Sequence, residues 1–204
     1  MSFNFTNPLE TTELNQTGNL GLFDSTLGTL TGVSLSFIGS NSTLISLTNN
    51  AAQSQRVRAT STTDLYFGSS LAALQTLIAA ANPVASLSAT TGLQNVNSGA
   101  TVSFGPFAGS QTVTWTSELD GILGSFAQSG GGLFALSCTS ESGLAIQGGG
   151  GNVSSKQETQ ANCGGAITYT YDPATTKVPE PESLLLVGIA LTALSLIRRR
   201  ATKA

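Results

Sequence analysis

The residues able to do chemistry in this chain are few, and their types exclude more than they permit. There is no histidine among its 204 residues. That excludes a Ser-His-Asp or Cys-His nucleophile and every zinc site built on imidazole. The cysteines are Cys138 and Cys163. A thiol with no base partner is a weak nucleophile, and two thiols alone make a poor metal site. The carboxylates before the C-terminal segment are Glu10, Glu13, Asp24, Asp64, Glu118, Asp120, Glu141, Glu158 and Asp172. Paired carboxylates carry out glycoside hydrolysis, and Glu118 and Asp120 share one face if that stretch is extended. The plainer reading is a solvated turn before Gly121. Glu118-Leu119-Asp120-Gly121 is too sparse in oxygens for a calcium loop.

Gly148–Gly151 has no Lys-Ser/Thr after it, as a phosphate loop requires, and reads as a loop tip. Trp115, the one tryptophan, lies among alternating residues. It reads as a core or half-core aromatic, with a sugar-stacking platform as the competing reading. Asn4-Phe5-Thr6, Asn15-Gln16-Thr17, Asn41-Ser42-Thr43 and Asn152-Val153-Ser154 match glycosylation sequons, as the richness in Asn, Ser and Thr makes expected by chance. No catalytic residue, cofactor or metal ligand is assigned. Net charge is −3, and the body holds only Arg56, Arg58, Lys156 and Lys177 as cations, so no basic patch for nucleic acid exists.

The elements that position these residues are strands. Charged residues are only 9% of the chain, a balance typical of exported all-β proteins and unlike charge-driven disorder. Val33, Leu35 and Phe37 alternate with Ser34 and Ser36 as a half-buried strand. A turn is expected at Gly39-Ser40-Asn41, then a second strand at Leu44–Leu47. Across Gln55–Tyr66, Val57, Ala59 and Ser61 face inward while Arg56 and Arg58 face out. Leu71, Leu74, Leu77 and Ile78 sit at helical spacing before Pro83, the exception to the pattern. Thr101–Phe107 and Gln111–Thr116 read as strands around a Gly105-Pro106 break, and Leu119–Phe126 as one helical turn or an irregular crossing. Ala166–Tyr171 is the clearest strand, ended by Asp172-Pro173. The expected fold is all-β: an antiparallel β-sandwich of about eight to ten short strands over residues 1–172, a linker over 173–182, and one hydrophobic helix in 183–204.

The C-terminal segment carries the strongest signal. Ser183–Ile197 is uncharged and would span roughly 22 Å as a helix, short of the bilayer core of about 30 Å. Snorkelling arginines and local thinning close that gap. Arg198, Arg199 and Arg200 follow as a basic stop, cytoplasmic by the positive-inside rule, which puts residues 1–182 on the outer side. In an exported protein Cys138 and Cys163 read as one disulfide, worth about 3 kcal/mol for a loop of this length; otherwise they are two free thiols. Export also needs a leader, and Met1-Ser2-Phe3-Asn4-Phe5-Thr6 has neither a basic n-region nor an apolar h-region. Upstream in-frame DNA is expected to encode one.

Val178-Pro179-Glu180-Pro181, then Leu184-Leu185-Leu186-Val187-Gly188, then Arg198-Arg199-Arg200, resembles the PEP-CTERM sorting signal of Gram-negative bacteria. The resemblance implies recognition by an exosortase, cleavage near the motif, and transfer from the inner membrane to the cell surface or extracellular matrix. Phe23-Asp24-Ser25-Thr26-Leu27-Gly28-Thr29-Leu30, leading into Val33-Ser34-Leu35-Ser36-Phe37 and closing on Ile167-Thr168-Tyr169-Thr170-Tyr171, resembles the choice-of-anchor E domain of bacterial surface proteins. That family implies no catalytic residues. The expected function is a structural or adhesive envelope protein without catalysis. The alternative is an exopolysaccharide-binding module using Trp115 and tyrosines on an exposed face.

Overall fold

Alternation of buried and exposed side chains builds this fold, and it runs through several sequences that look like turns. The computed structural model describes residues 1–174. The strands are β1 (Ser2–Thr6), β2 (Glu10–Thr11), β3 (Asn15–Asp24), β4 (Gly28–Asn49) and β5 (Gln55–Ser69). Helix α1 (Ala72–Ala81) follows, then β6 (Ala85–Thr90), β7 (Gln94–Val96) and β8 (Thr101–Trp115). A 3-10 segment, Ser117–Phe126, leads to β9 (Ala127–Gln128), β10 (Gly132–Gly148) and β11 (Val153–Pro173). The described residues are mostly β, in two sheets. One has the order β1-β11-β4-β8, with β2 also on β11; the other has the order β6-β5-β10-β3-β9, with β7 also on β5. Ladders β1–β11, β4–β8, β10–β3, β10–β5 and β5–β6 are antiparallel, and β9 runs parallel to β3.

Three expectations need correction. The strands are not short: β4, β10 and β11 span 22, 17 and 21 residues. The turn expected at Gly39-Ser40-Asn41 lies inside β4. Gly39 is there because a Cβ would overlap the Leu65 side chain. Asn41 is buried and donates Nδ2 to Thr63 Oγ1 at 3.2 Å. Residue types that favour turns here serve close packing and an internal hydrogen bond, which local propensity does not register. Likewise Gly105-Pro106 does not break β8. The irregularity is absorbed as a register shift against β4 between Thr43 and Ile45, as a bulge allows.

The buried side chains form two clusters. The larger takes Leu20 and Phe23 from β3, Leu35 and Phe37 from β4, Phe67 from β5, Phe134 and Leu136 from β10, and Ile167 and Tyr169 from β11. Both sheets therefore supply it. The smaller holds Ile45, Leu47, Val57, Ala59 and Val96. Between them lies a belt of buried polar side chains: Asn41 and Thr43 of β4, Ser61 and Thr63 of β5, Ser140 of β10 and Thr159 of β11. Along its buried face β4 thus reads apolar at Val33–Phe37, polar at Asn41–Thr43 and apolar again at Ile45–Leu47, and β5 mirrors it.

Helix α1 forms where Leu71, Leu74, Leu77 and Ile78 sit at helical spacing, begins just after Leu71, and buries Leu74 and Ile78. It ends where Asn82 N bonds Ile78 O at 3.0 Å, just before Pro83, whose ring disfavours helix in the residue it follows. Strand β1 brings Phe3 and Phe5 over Gly21 and Gly18, where any Cβ would overlap the rings. Among the described residues no helix is long and apolar enough to cross a membrane; the expected helix of Ser183–Ile197 lies outside them.

Candidate functional site

At Thr159 the belt borders the surface. There a groove of about 880 Å³ is lined by Thr11 and Thr12, by Ser42 and Leu44 of β4, Pro106 of β8, Ser142 of β10, and Gln157 to Gln160 of β11. Its hydroxyls are fixed from behind. Thr12 Oγ1 and Ser142 Oγ bond at 3.0 Å. Ser142 N donates to Glu13 Oε1 at 3.0 Å. Gln157 Nε2 donates to Thr159 Oγ1 at 2.7 Å, and Thr159 Oγ1 bonds Thr43 Oγ1 of the belt at 3.1 Å. Each hydroxyl has one donor and two acceptor positions, so these contacts orient the groups and leave capacity toward the groove. The lining carboxylate, Glu158, accepts from Lys156 Nζ at 2.5 Å, and both side chains are largely exposed. Apart from Glu158 the lining is uncharged, rich in hydroxyl and amide, and without an aromatic ring.

Trp115 is not at this groove. It is 8% exposed and meets Phe37 edge-on, with ring centroids 4.8 Å apart. That overturns its use as a sugar platform: the side chain is part of the core. Tyr169 is buried too and donates its hydroxyl to Gly21 O at 2.7 Å. Burial pushes its phenol well above the ordinary range. Tyr171 packs on Phe23 at 4.9 Å. Tyr66 donates its hydroxyl to Glu141 Oε2 at the surface, at 3.2 Å.

The carboxylates divide by environment. Glu118 and Asp120 sit in the 3-10 segment, not on a strand face. Glu118 is held below the usual carboxylate range by its own backbone N–H and that of Thr116, a local turn contact. Asp120 instead lines a second depression of about 360 Å³ with Ser34, Thr168 and Thr170. Asp24 accepts from Thr26 N and Oγ1 and from Gly130 N. The Thr26 backbone contact is the main reason its carboxyl is held below the ordinary value. Asp64 and Glu141 stand opposite each other on β5 and β10, a like-charge pair that mildly opposes the ladder. They lie 77 positions apart in sequence (141 minus 64), so only the register of two distant strands brings them together. Among the described residues no three His, Cys, Asp or Glu side chains converge to hold a metal.

Cys138 of β10 and Cys163 of β11 form a disulfide, with Cα atoms 6.3 Å apart, inside the range such a bond requires. It links the two sheets covalently. Gln16 braces it: its Oε1 accepts from Cys163 N at 3.0 Å, and its Nε2 donates to Pro8 O at 2.8 Å. The sorting motif Val178, Pro179, Glu180 and Pro181 and the basic stop Arg198, Arg199 and Arg200 lie outside the described residues. The groove had no sequence signature. Its lining runs from Thr11 to Gln160 over both sheets, in residue types scattered through the whole chain.

No protein-family model matches the sequence, and no curated protein matches it. Among solved structures, a chain of the infectious bursal disease virus particle is 8% identical with a TM-score of 0.23, covering 96% of this chain and 47% of that one. A family two carbohydrate esterase from Cellvibrio japonicus is 13% identical with a TM-score of 0.15, covering 86% of this chain and 37% of that one. The parasporin-2 toxin of Bacillus thuringiensis is 9% identical with a TM-score of 0.17, covering 83% and 69%. The chain spans about half the length or less of the bursal disease virus and esterase chains it is similar to. At these scores none of them carries an argument about this protein.

Proposed function

We propose that this is an exported envelope or extracellular-matrix protein of structural or adhesive type, sorted through a PEP-CTERM signal recognised by an exosortase. Its two sheets are the leaves of an antiparallel β-sandwich, a reading supported by the larger cluster, to which both sheets contribute. Its body acts outside the inner membrane, with Ser183–Ile197 held in the bilayer before processing and Arg198–Arg200 on the cytoplasmic side. The observation that carries the reading is the order Val178-Pro179-Glu180-Pro181, apolar run, Arg198-Arg199-Arg200. The disulfide between sheets is compatible with an oxidising compartment. The body offers a low-charge, strand-dense scaffold rather than a convergent set of reacting groups, which favours a role in holding over one in turnover.

The test expresses the gene with its upstream region in an exosortase-bearing Gram-negative host and in the same host lacking exosortase. The expected outcome is a shortened, surface-accessible species in the first. In the second, and for Pro179→Ala/Pro181→Ala, the full-length chain stays with the inner membrane. Identical size and location in all three would overturn the sorting reading.

A further inference from the structure

We propose that the groove at Ser42, Ser142 and Gln157–Gln160 is a binding site for a neutral polysaccharide chain, which lies from there along the outer face of the β1-β11-β4-β8 sheet. This deepens the adhesive reading and rests on it only for the kind of polymer the protein meets.

The chemistry of the lining selects the ligand. A volume of about 880 Å³ lies within the range of roughly 300–1,000 Å³ typical of small-molecule sites. The lining groups are hydroxyls and primary amides, the partners a sugar hydroxyl needs as both donor and acceptor. Leu44 and Pro106 add apolar surface for the C–H face of a ring. Thr12, Ser142 and Thr159 are preoriented by bonds to one another and to the belt, which lowers the ordering cost of binding.

Charge excludes the acidic relatives of that ligand. The ammonium of Lys156 is bonded to Glu158, and Glu13 stands directly behind Ser142. A uronate or phosphate would meet the Glu158 carboxylate, with Glu13 close by, and no free cation among the lining residues.

The surface beyond the groove extends the match. Hydroxyl pairs span β4 and β8 at Ser36–Thr114, Ser46–Ser103 and Thr48–Thr101, 2.7 to 2.8 Å apart. Ser2 and Thr168 pair at 3.0 Å on the neighbouring strands. The smaller depression at Ser34, Thr168 and Thr170 lies eight residues along β4 from Ser42 (42 minus 34), roughly 27 Å at strand rise. That reach suits a polymer rather than a single sugar.

The test titrates the full chain with neutral hexose oligomers (a cello-, a malto- and a laminari-hexaose) and with an oligogalacturonate, by calorimetry. Saturable binding of a neutral oligomer is expected, with the uronate at least about tenfold weaker. Ser42→Arg, which fills the groove, should weaken binding about tenfold or more, a loss of about 1.4 kcal/mol. Ser88→Arg, on the exposed face of β6 in the other sheet, should leave it unchanged. If Ser42→Arg does not fold, Gln160→Ala, an exposed change, reads the same site. Failure of every neutral oligomer to bind overturns the proposal, as does uronate binding of equal strength or unchanged affinity in a folded groove variant. These outcomes are independent of sorting: a protein that reaches the surface normally but binds nothing loses the groove and keeps its address.

Discussion

The two hydrophobic clusters are fed by the same strands, β4 and β5, yet they are built differently. The larger is aromatic: Phe37 meets Phe67 and Trp115 edge-on at 5.1 and 4.8 Å, Phe126 meets Phe134 at 5.9 Å, and the disulfide closes on it. The smaller is aliphatic, with Ile45, Leu47, Val57, Ala59 and Val96 fully buried and Phe104 and Phe107 only partly so at its margin. Edge-to-face aromatic pairs add about 0.5–1.5 kcal/mol each beyond area burial. The difference teaches that stability is concentrated at one end, while the other depends more on its ladders and on the hydroxyl belt that divides them.

The sharpest way to test that contrast is Phe37→Ala. It removes a fully buried ring with two aromatic partners and should cost about 3–5 kcal/mol, read as a large drop in the denaturant midpoint. Removal of the disulfide as Cys138→Ala/Cys163→Ala should cost about 3 kcal/mol under oxidising conditions. The same double variant should match reduced wild type, and a variant as stable as oxidised wild type would move the weight away from this end. Thr43→Val leaves the Thr159 hydroxyl with Gln157 as its remaining side-chain partner and should cost about 0.5–1.5 kcal/mol, whereas Thr43→Val/Thr159→Val should cost less than the sum of the single changes. Ile45→Val in the smaller cluster should cost only about 0.5–1.5 kcal/mol; a cost equal to that of Phe37→Ala would erase the comparison.

The smallest effect is one of pH. Tyr169 is buried in the larger cluster and its phenol is raised above the ordinary 10.0. The folded state therefore keeps a proton that the unfolded state releases. Its contribution is complete below pH 10 and is lost as pH rises above that value. Tyr169→Phe should flatten this alkaline decline in melting temperature.

Much of the sheet structure was legible because a single period carries it. Val33-Leu35-Phe37 and Val57-Ala59-Ser61 alternate cleanly, and each is buried as expected. The helical spacing of Leu74 and Ile78 likewise marks α1. Strand continuity was not legible. Gly39, Asn41 and Pro106 are turn formers by local chemistry, and only the opposing Leu65 and Thr63 and a bulge in the ladder explain why β4 and β8 continue through them. The belt was legible only at Ser61, which alternation places inward; Thr43 and Thr159 are polar side chains at core positions that hydropathy does not mark as buried. The groove was invisible for the same reason as the Asp64–Glu141 pair: its members meet only through long-range register.

The path of β11 has a mechanical consequence. Strand β11, whose last residue is Pro173, is flanked by β1 and β2 on one side and β4 on the other. A pull applied beyond Pro173 therefore runs along the strand axis and shears both ladders together, so their hydrogen bonds share the load instead of opening one by one. At Cys163 part of that load passes through a covalent bond into β10 and the second sheet. Tension at the C-terminal end is thus carried by both sheets before any strand can peel away.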